Sequence, residues 1–319
     1  MGHFLALWLL VNFAGRLPLA LLDTIAAACG DLAWWGSRRV RAVTRDHMRH
    51  VRGPTAPPRE VDRLARACAR TAARGYAEFA HLPHLSPDRV RARIVAIDGI
   101  EALTTALAEG RGVIAVSAHL GAPEVISHAA PTFVDSFAGV AEPLRPQRVH
   151  DFVHRVRAVR GVQYFPATLG GLREARAHLA AGGVLGLLVD RDVLGTGHPC
   201  AFFGERARMP VGAVELARRS GAPVVAVSAL REPGAGRYRL VFRPVLLPPA
   251  TGDREADLDA GMRAVIAALE EMIRSAPGQW FPLVPVWSGL AVDGTPARRG
   301  YNERDDGTRN DARPGTHGS

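Results

Sequence analysis

The chain has 319 residues, of which 47% are apolar, and a formal net charge of +9. This length and composition exclude a small disulfide-stapled protein and fit one large domain, or one domain with a helical appendage. The basic balance favours anionic partners such as lipid headgroups or phosphorylated cosubstrates. Because zinc-finger spacings and RNA-recognition motifs are absent, we predict no nucleic-acid partner. The three cysteines form no CxxC pair, which favours a reducing cytoplasmic setting.

The most apolar stretch comes first, at residues 4–35. Arg16, Pro18 and Asp23 interrupt it before it reaches the roughly 20 apolar residues that a spanning helix requires. Tryptophans within the stretch suit a membrane interface. We predict one or two amphipathic or re-entrant helices that lie at a membrane surface. The alternative is a pair of core helices in a globular protein.

A strongly basic segment follows, over residues 38–93, with a helical rhythm that GPTAPP at 53–58 breaks. Several of its arginines lie three or four positions apart and therefore share a helix face. They form either a solvated face or a contact with anionic headgroups at the cytoplasmic leaflet. We predict that residues 1–85 are a helical region that associates, peripherally or monotopically, with the cytoplasmic face of the plasma membrane.

From about residue 91, strand-like and helix-like segments alternate along the chain. The strands are continuously apolar, as is typical of a parallel sheet that is buried on both faces. For residues 86–291 we predict an α/β domain, with a mostly parallel central sheet flanked by helices on both faces. Residues 292–319 lack apolar periodicity and are predicted to be a disordered tail.

The first candidate site lies where the buried strand GVIAVS gives way to a helix. His119 follows the strand, Gly121 permits a tight turn, and Glu124 lies in the first turn of a helix that begins near Pro123. A carboxylate bonded to one ring nitrogen would fix the tautomer of the histidine and support it as a general base. Ser117 has no Gly-x-Ser-x-Gly context and is more typical of a packed strand residue.

A metal site at this histidine is the alternative, since His128 completes an H-x4-E-x3-H pattern with His119 and Glu124. The spacing is not that of a zinc protease, and His128 should face elsewhere on its helix. We predict no metal.

The second candidate site follows the buried strand VLGLLV, which ends in Asp190, Arg191 and Asp192. An acid at this edge of a sheet can hold a base, an arginine or an acceptor hydroxyl. Arg206 and Arg208 flank a helix that begins near Pro210, and such a helix N-terminus can bind a phosphate group. An internal Asp–Arg ion pair with a packed aromatic turn is the structural alternative.

Four segments in one serial order carry a family resemblance. They begin at residues 97, 140, 190 and 277: IDGIEALTTALAEGRGVIAVSAHLGAPE, VAEPLRP, DRDVLGTGHPCAFFGERARMPVG and PGQWFPLVPVWSG. Over residues 5–290 the sequence resembles the bacterial lipid A lauroyl/myristoyl acyltransferase family. Within it, the sequence is most similar to actinobacterial phosphatidylinositol mannoside acyltransferases, and the resemblance implies a glycerolipid-acyltransferase-like fold.

The resemblance implies transfer of a fatty acyl chain from a thioester, acyl-CoA or an acyl carrier protein, to a hydroxyl of a glycosylated phospholipid. No cofactor would be bound permanently. His119 and Glu124 match the family's H-x4-D/E motif, as base and orienting acid. A further set of matching positions is implied to support the transition state or bind the acceptor: Glu142, Arg145, Asp190, Arg191 and Asp192. Arg206 and Arg208 would bind the donor phosphates.

Two features depart from the family pattern and leave the acceptor open. Ala122 and Pro123 stand where the family has Asn-Trp, and Arg45-Asp46 stands where it has an Arg-Asn pair. A lysophospholipid or glycerol-phosphate acyltransferase is therefore an alternative. A lipid-binding relative without the chemistry, and a hydrolase that uses water as acceptor, are the others.

Overall fold

A computed structural model of the chain describes residues 2–142, 144–158, 161–192, 195–287 and 289. Its α-helices are α1 (Gly2–Asn12), α2 (Leu19–Gly36), α3 (Arg38–Arg52), α4 (Pro58–His81), α5 (Pro87–Arg91), α6 (Ile100–Ala108), α7 (Pro123–Ala129), α8 (Gln147–Arg157), α9 (Leu169–Ala180), α10 (Gly212–Ser220) and α11 (Arg254–Ser275). Its strands are β1 (Ile94–Asp98), β2 (Val113–Ser117), β3 (Phe137–Ala141), β4 (Gln163–Pro166), β5 (Val184–Leu188), β6 (His198–Phe202), β7 (Glu205–Met209), β8 (Val224–Arg231) and β9 (Tyr238–Val245).

Seven strands form one sheet in the order β1-β9-β8-β2-β5-β3-β4. All neighbouring pairs are parallel except β8 and β9, which are joined as an antiparallel hairpin. β2 lies at the centre of the sheet, and each of its five residues is buried. A chain that alternates apolar strands with helices folds in this way because each helix crosses over to the next parallel strand. The prediction of a mixed α/β fold with a mostly parallel sheet is confirmed.

Helices cover both faces of the sheet, and each face has its own core. One core contains Ile114, Val116 and Leu185, on which α9, α10 and α11 pack. The other contains Ala115 and Val225, beneath α6 and α7. Because successive strand residues point to opposite faces, the continuously apolar strands supply both cores at once.

The N-terminal helices are joined to this sheet rather than separate from it. Met48 of α3 and Leu64 of α4 are buried in the same core as Ile114. α2 packs along α4, and Asp31 receives hydrogen bonds from Arg66 at 2.7 Å and Arg70 at 2.6 Å. These two arginines hold the pKa of the Asp31 carboxyl well below its usual value. A domain boundary at residues 85/86 stays a prediction.

The outer surface of α1 and α2 is apolar. None of the described helices is both long and apolar enough to cross a membrane. Large apolar side chains nevertheless remain exposed along both helices and the turn between them: Leu5, Trp8, Leu9, Phe13, Leu17, Leu21, Ile25, Leu32 and Trp35. We call this set the N-terminal apolar surface. Single exposed apolar side chains are normal on a protein surface, whereas this set follows two neighbouring helices.

The segment after β5 differs from its prediction. Residues 198–209, for which no strand was predicted, form the antiparallel hairpin of β6 and β7. Phe203 and Gly204, both with positive φ, make its two-residue turn. This hairpin could not be predicted from the sequence, because its turn residues are Phe-Gly and not the Asn-Gly or Asp-Gly pairs that usually indicate a two-residue hairpin turn. The predicted tail, residues 292–319, lies outside the described residues.

Candidate active site

β2 and β5 place a histidine beside an aspartate. These strands are parallel, and their register puts Ser117 opposite Leu188. His119 and Asp190 each come two residues after that pair, so both chains leave the sheet at the same edge and level. Ligands of open parallel sheets bind at this carboxyl edge. The juxtaposition therefore follows from strand register, not from closeness in sequence.

Two hydrogen bonds join Asp190 to His119. Oδ1 of Asp190 lies 2.8 Å from the Nδ1 atom of the imidazole, and Oδ2 accepts from the backbone N–H of His119 at 2.9 Å. Burial raises the pKa of Asp190, but His119 and the hydrogen bonds outweigh that effect and hold the pKa below its usual value. A buried carboxylate of this kind fixes the Nδ1–H tautomer, which leaves Nε2 as the proton acceptor.

The His119 side chain is partly accessible to solvent. The His119 side chain is 21% exposed, whereas that of Asp190 is fully buried. Within the described part of the chain, Nδ1 is the ring nitrogen with a hydrogen-bond partner. Phe281 borders the ring in an edge-on contact, with 6.2 Å between the ring centroids. Nε2 is therefore free to take a proton from a bound molecule.

The predicted hydrogen bond between His119 and Glu124 is wrong. Glu124 pairs instead with Arg157 of α8, whose Nε and Nη2 atoms lie 3.0 Å and 2.5 Å from Oε1. The physical reason is geometric: Asp190 already occupies Nδ1 of His119, and α7 aims Glu124 toward α8. Asp190, which was predicted to support the transition state or the acceptor, supplies the orienting carboxylate.

Arg157 is a site residue that the sequence reasoning missed. Its guanidinium lies 5.6 Å from the ring of Phe79 and 6.0 Å from that of Tyr164. Burial lowers the pKa of Arg157, but Glu124 outweighs this and raises it above its usual value. Burial and Glu124 also raise the pKa of Tyr164 to about 12. The sequence offered one signal, an arginine at the end of a predicted helix. That signal was too weak to single out Arg157, because arginine is abundant throughout the chain.

A buried ion pair fixes the turn that follows His119. Gly121 has a φ of +64°, and a Cβ atom there would lie 2.1 Å from the carbonyl oxygen of Ala229, so only glycine fits. Arg231 donates to the carbonyl of Gly121 and pairs with Glu78 at 2.9 Å and 2.5 Å. This pair connects α4, the end of β8 and the turn between β2 and α7.

Four other predicted residues lie at the same edge of the sheet. Arg191 donates to Glu142 at 3.2 Å, which joins the ends of β5 and β3. Arg145 is exposed. The carboxylate of Asp192 accepts from the backbone N–H groups of Gly195 at 3.0 Å and Gly197 at 2.7 Å, so it closes the loop before β6. A part for these residues in binding the acceptor or the transition state stays a prediction.

Arg206 and Arg208 lie on β7, not at the start of a helix, because α10 begins at Gly212. Both are exposed, and Nη1 of Arg208 donates to the carbonyl of Gly197 at 2.9 Å. They flank the buried Ala207, so strand alternation turns both toward solvent on one face. Donor phosphate binding by these arginines stays a prediction.

Comparison with known proteins assigns the family. A family model described as bacterial lipid A biosynthesis acyltransferase matches residues 3–288. The chain belongs to this family. It is similar to a phosphatidylinositol mannoside acyltransferase of Mycolicibacterium smegmatis, at 30% identity over 76% of this chain and 79% of that protein. A protein of the same name from Mycobacterium tuberculosis is 28% identical over 72% of each chain. The chain is therefore an acyl-transferring enzyme.

The described part of this acyltransferase contains no group of three or more His, Cys, Asp or Glu side chains that could hold a metal ion. In the H-x4-E-x3-H pattern, Asp190 engages His119 and Arg157 engages Glu124.

A second histidine of the acyltransferase lies beneath the site. His47 of α3 is buried, with its ring centroid 4.9 Å from that of Trp280. Burial, reinforced by His50, lowers the pKa of His47 to about 3. The folded enzyme therefore keeps this imidazole neutral over the range in which an unfolded histidine takes up a proton, near pH 6.5.

This difference predicts a pH-dependent contribution to stability. Above pH 6.5 neither state is protonated at His47, and as the pH falls toward 3 only the unfolded state gains the proton. We expect the free energy of unfolding to fall by up to about 1.4 kcal/mol per pH unit from this group. In His47→Asn, urea unfolding at pH 7, 6 and 5 should lack that slope, so the two proteins converge in stability as the pH falls. A constant difference would contradict the assignment.

Proposed function

We propose that the protein is a membrane-associated O-acyltransferase that transfers a fatty acyl chain from acyl-CoA, or from an acyl carrier protein, to a hydroxyl of a glycosylated phospholipid such as a phosphatidylinositol mannoside. The observation that carries the proposal is the His119–Asp190 pair, with a buried carboxylate and a partly exposed imidazole. Membership of the lipid A acyltransferase family and the names of the similar proteins support the substrate class.

The proposed reaction needs no acyl-enzyme. Nε2 of His119 takes the proton of the acceptor hydroxyl while its oxygen attacks the thioester carbonyl. The tetrahedral intermediate then collapses, the carbon–sulfur bond breaks, and the imidazolium returns the proton to the leaving thiolate. Asp190 stabilises the imidazolium throughout. Backbone N–H groups, or the guanidinium of Arg145 or Arg191, are the proposed donors to the oxyanion.

A small apolar cavity lies on the α7 side of the sheet. It measures about 40 Å³ and lies between the sheet and α7, with Ala115, Ile126 and Phe133 among its lining residues, all of which are apolar. α7 also carries Glu124 in its first turn, so the cavity begins beneath the helix that leads away from His119.

The N-terminal apolar surface supports attachment to a membrane. α1 packs on α8, with ring centroids of Phe4 and Phe152 5.7 Å apart, and α8 ends at Arg157 in the site. The surface thus adjoins the elements around His119. Arginines of α4 pair with Asp23 and Asp31 of α2, which leaves the apolar side of α2 outward. We propose peripheral or monotopic attachment at the cytoplasmic face of the plasma membrane, where anionic headgroups would meet the excess arginine.

Vesicle binding tests this attachment. Leu32 is 71% exposed on α2, and Leu32→Glu removes an apolar contact and adds a charge that anionic lipid repels. We expect its partition onto anionic vesicles to fall about tenfold. Leu246→Glu is the matched control, because Leu246 is 83% exposed just past β9, away from the N-terminal apolar surface. Sedimentation with vesicles measures both; equal losses in the two variants would contradict the proposed surface.

Mass spectrometry of the products tests the transfer reaction. The purified protein is incubated with acyl-CoA and vesicles that contain a phosphatidylinositol mannoside, with His119→Ala as the inactive control. We expect a product heavier by one acyl group, formed faster than free fatty acid. Acylation of a lysophospholipid in place of the glycolipid would favour the alternative acyltransferase. Release of fatty acid alone would show that water is the acceptor and would contradict the proposal.

A further inference from the structure

The segment Pro277–Gln279 and the two residues after it bind the turn that carries His119. The backbone N–H of Phe281 donates to the carbonyl of His119 at 2.8 Å, and the carbonyl of Gln279 accepts from the N–H of Gly121 at 2.9 Å. Trp280 pairs with Leu120 in an isolated antiparallel bridge. The chain after α11 therefore lies as a short extra strand against the catalytic turn.

Trp280 also reaches the orienting carboxylate directly. Its indole Nε1–H donates to Oδ2 of Asp190 at 2.9 Å. The backbone N–H of His119 donates to the same oxygen at 2.9 Å, so Oδ2 holds two donors while Oδ1 is left for the imidazole. A carboxylate with both oxygens engaged in this way cannot rotate without breaking a buried hydrogen bond.

The indole itself is held rigidly. Trp280 is fully buried, and ring centroids of His47, Phe202 and Trp287 lie 4.9 Å, 5.9 Å and 6.1 Å from its own. Close packing in a protein interior disfavours other rotamers of such a ring. The N–H therefore has a fixed direction, and that direction is toward Asp190.

We propose that Trp280 is a positioning residue for acyl transfer: its indole N–H sets the orientation and hydrogen-bonding strength of Asp190, and through Asp190 it sets the basicity of His119. The inference rests on the proposed function of His119 as the base. Trp280 itself touches neither substrate nor reacting atoms in this scheme. It acts as the outer member of a relay Trp280–Asp190–His119.

The relay makes a directional prediction about proton affinity. A donor to Asp190 withdraws negative charge from the carboxylate, which weakens its support of the imidazolium. Loss of that donor should make the carboxylate a stronger acceptor and so stabilise the imidazolium form of His119. The titratable groups that face this carboxylate and indole are His119, at the sheet edge, and His47 of α3. Burial lowers the pKa of His47 to about 3, so His47 stays neutral over the pH range in which activity is measured.

Trp280→Phe tests the inference, since it keeps an aromatic ring and removes the N–H. We expect kcat to fall about tenfold, KM to stay within about twofold, and the acid limb of the pH profile of kcat/KM to move up by about half a pH unit. A residue that only filled the core would lower stability and leave the pH profile where it was. An unmoved acid limb would therefore overturn the proposal.

Trp287→Phe is a matched control in the same aromatic cluster. Trp287 is equally buried, but its indole N–H donates to the backbone carbonyl of Phe202 at 3.1 Å instead of to Asp190. We expect a comparable loss of thermal stability with no shift of the acid limb. If both variants shift it equally, the effect is general loosening and the relay is excluded.

Nuclear magnetic resonance provides a measurement that needs neither activity nor a folded Trp280 variant. In the wild-type protein the indole N–H resonance of Trp280 should titrate together with the ring of His119, and His119→Gln should abolish that titration. If the chemical shift of the indole N–H does not change when His119 is protonated, the relay is overturned. The two failures can be told apart. If the proposed function is wrong, the wild-type protein transfers no acyl group, but the titration still reports whether Trp280 and His119 are coupled.

Discussion

Replacing Asp190 with asparagine should lower kcat by about 10³- to 10⁴-fold while the protein stays folded. Asparagine keeps the shape of the side chain and an oxygen that can accept from the backbone of His119 and from Trp280. It presents an amide N–H₂ to Nδ1, however, and this forces the imidazole into the tautomer with its proton on Nε2. A ring protonated at Nε2 cannot accept the proton of a hydroxyl. Initial rates of acyl transfer and thermal unfolding measure the two effects.

Two comparisons make this result specific. Asp257→Asn is the matched control, because the Asp257 carboxylate accepts hydrogen bonds from Thr251 and Gly252 at a distant loop, and we expect its kcat to stay within about twofold. A double variant of His119→Ala with Asp190→Asn should be no slower than His119→Ala alone, since the two act as one unit. If Asp190→Asn kept near-normal activity and Glu124→Gln were inactive, Glu124 rather than Asp190 would be the residue that orients His119.

The largest effect on stability is expected from Glu78→Gln. The Glu78 and Arg231 side chains are 5% and 11% exposed, and Tyr238 donates its hydroxyl to Glu78 at 2.9 Å. Removing the negative charge leaves the guanidinium buried without its counter-ion. We expect a loss of about 3 kcal/mol in the free energy of unfolding, measured by urea denaturation. Activity should fall as well, because Arg231 also holds the carbonyl of Gly121 in the catalytic turn.

An exposed ion pair on the neighbouring strand is the control for this variant. Arg239 donates to Glu232 at 2.6 Å, but the two side chains are 39% and 26% exposed. Water screens such a pair, so Glu232→Gln should cost less than about 1 kcal/mol. If the two variants lose equal stability, the Glu78–Arg231 pair does not depend on its burial, and the argument from desolvation fails.

The sheet and its helices could be predicted because their signals are local. β2 is an unbroken apolar run, and helix α7 begins at a proline. The hydrophobic pattern of each element and the residues that end it can therefore be recognised within a short stretch of sequence. The hairpin of β6 and β7 was missed for the same reason: its turn lacks a strong local signal. His119 could also be found locally, because it follows a buried strand at the edge where ligands bind.

The partners of the ionisable groups could not be predicted from spacing. Glu124 is five residues from His119 in sequence but pairs with Arg157, 33 residues away, whereas Asp190 reaches the imidazole across 71 residues. The sequence by itself determined the fold class, the histidine at the sheet edge and the apolar N-terminal helices, since each is a short-range pattern of polarity. Only the tertiary structure decided which carboxylate orients His119, because strand register and helix packing bring together residues that the chain keeps far apart.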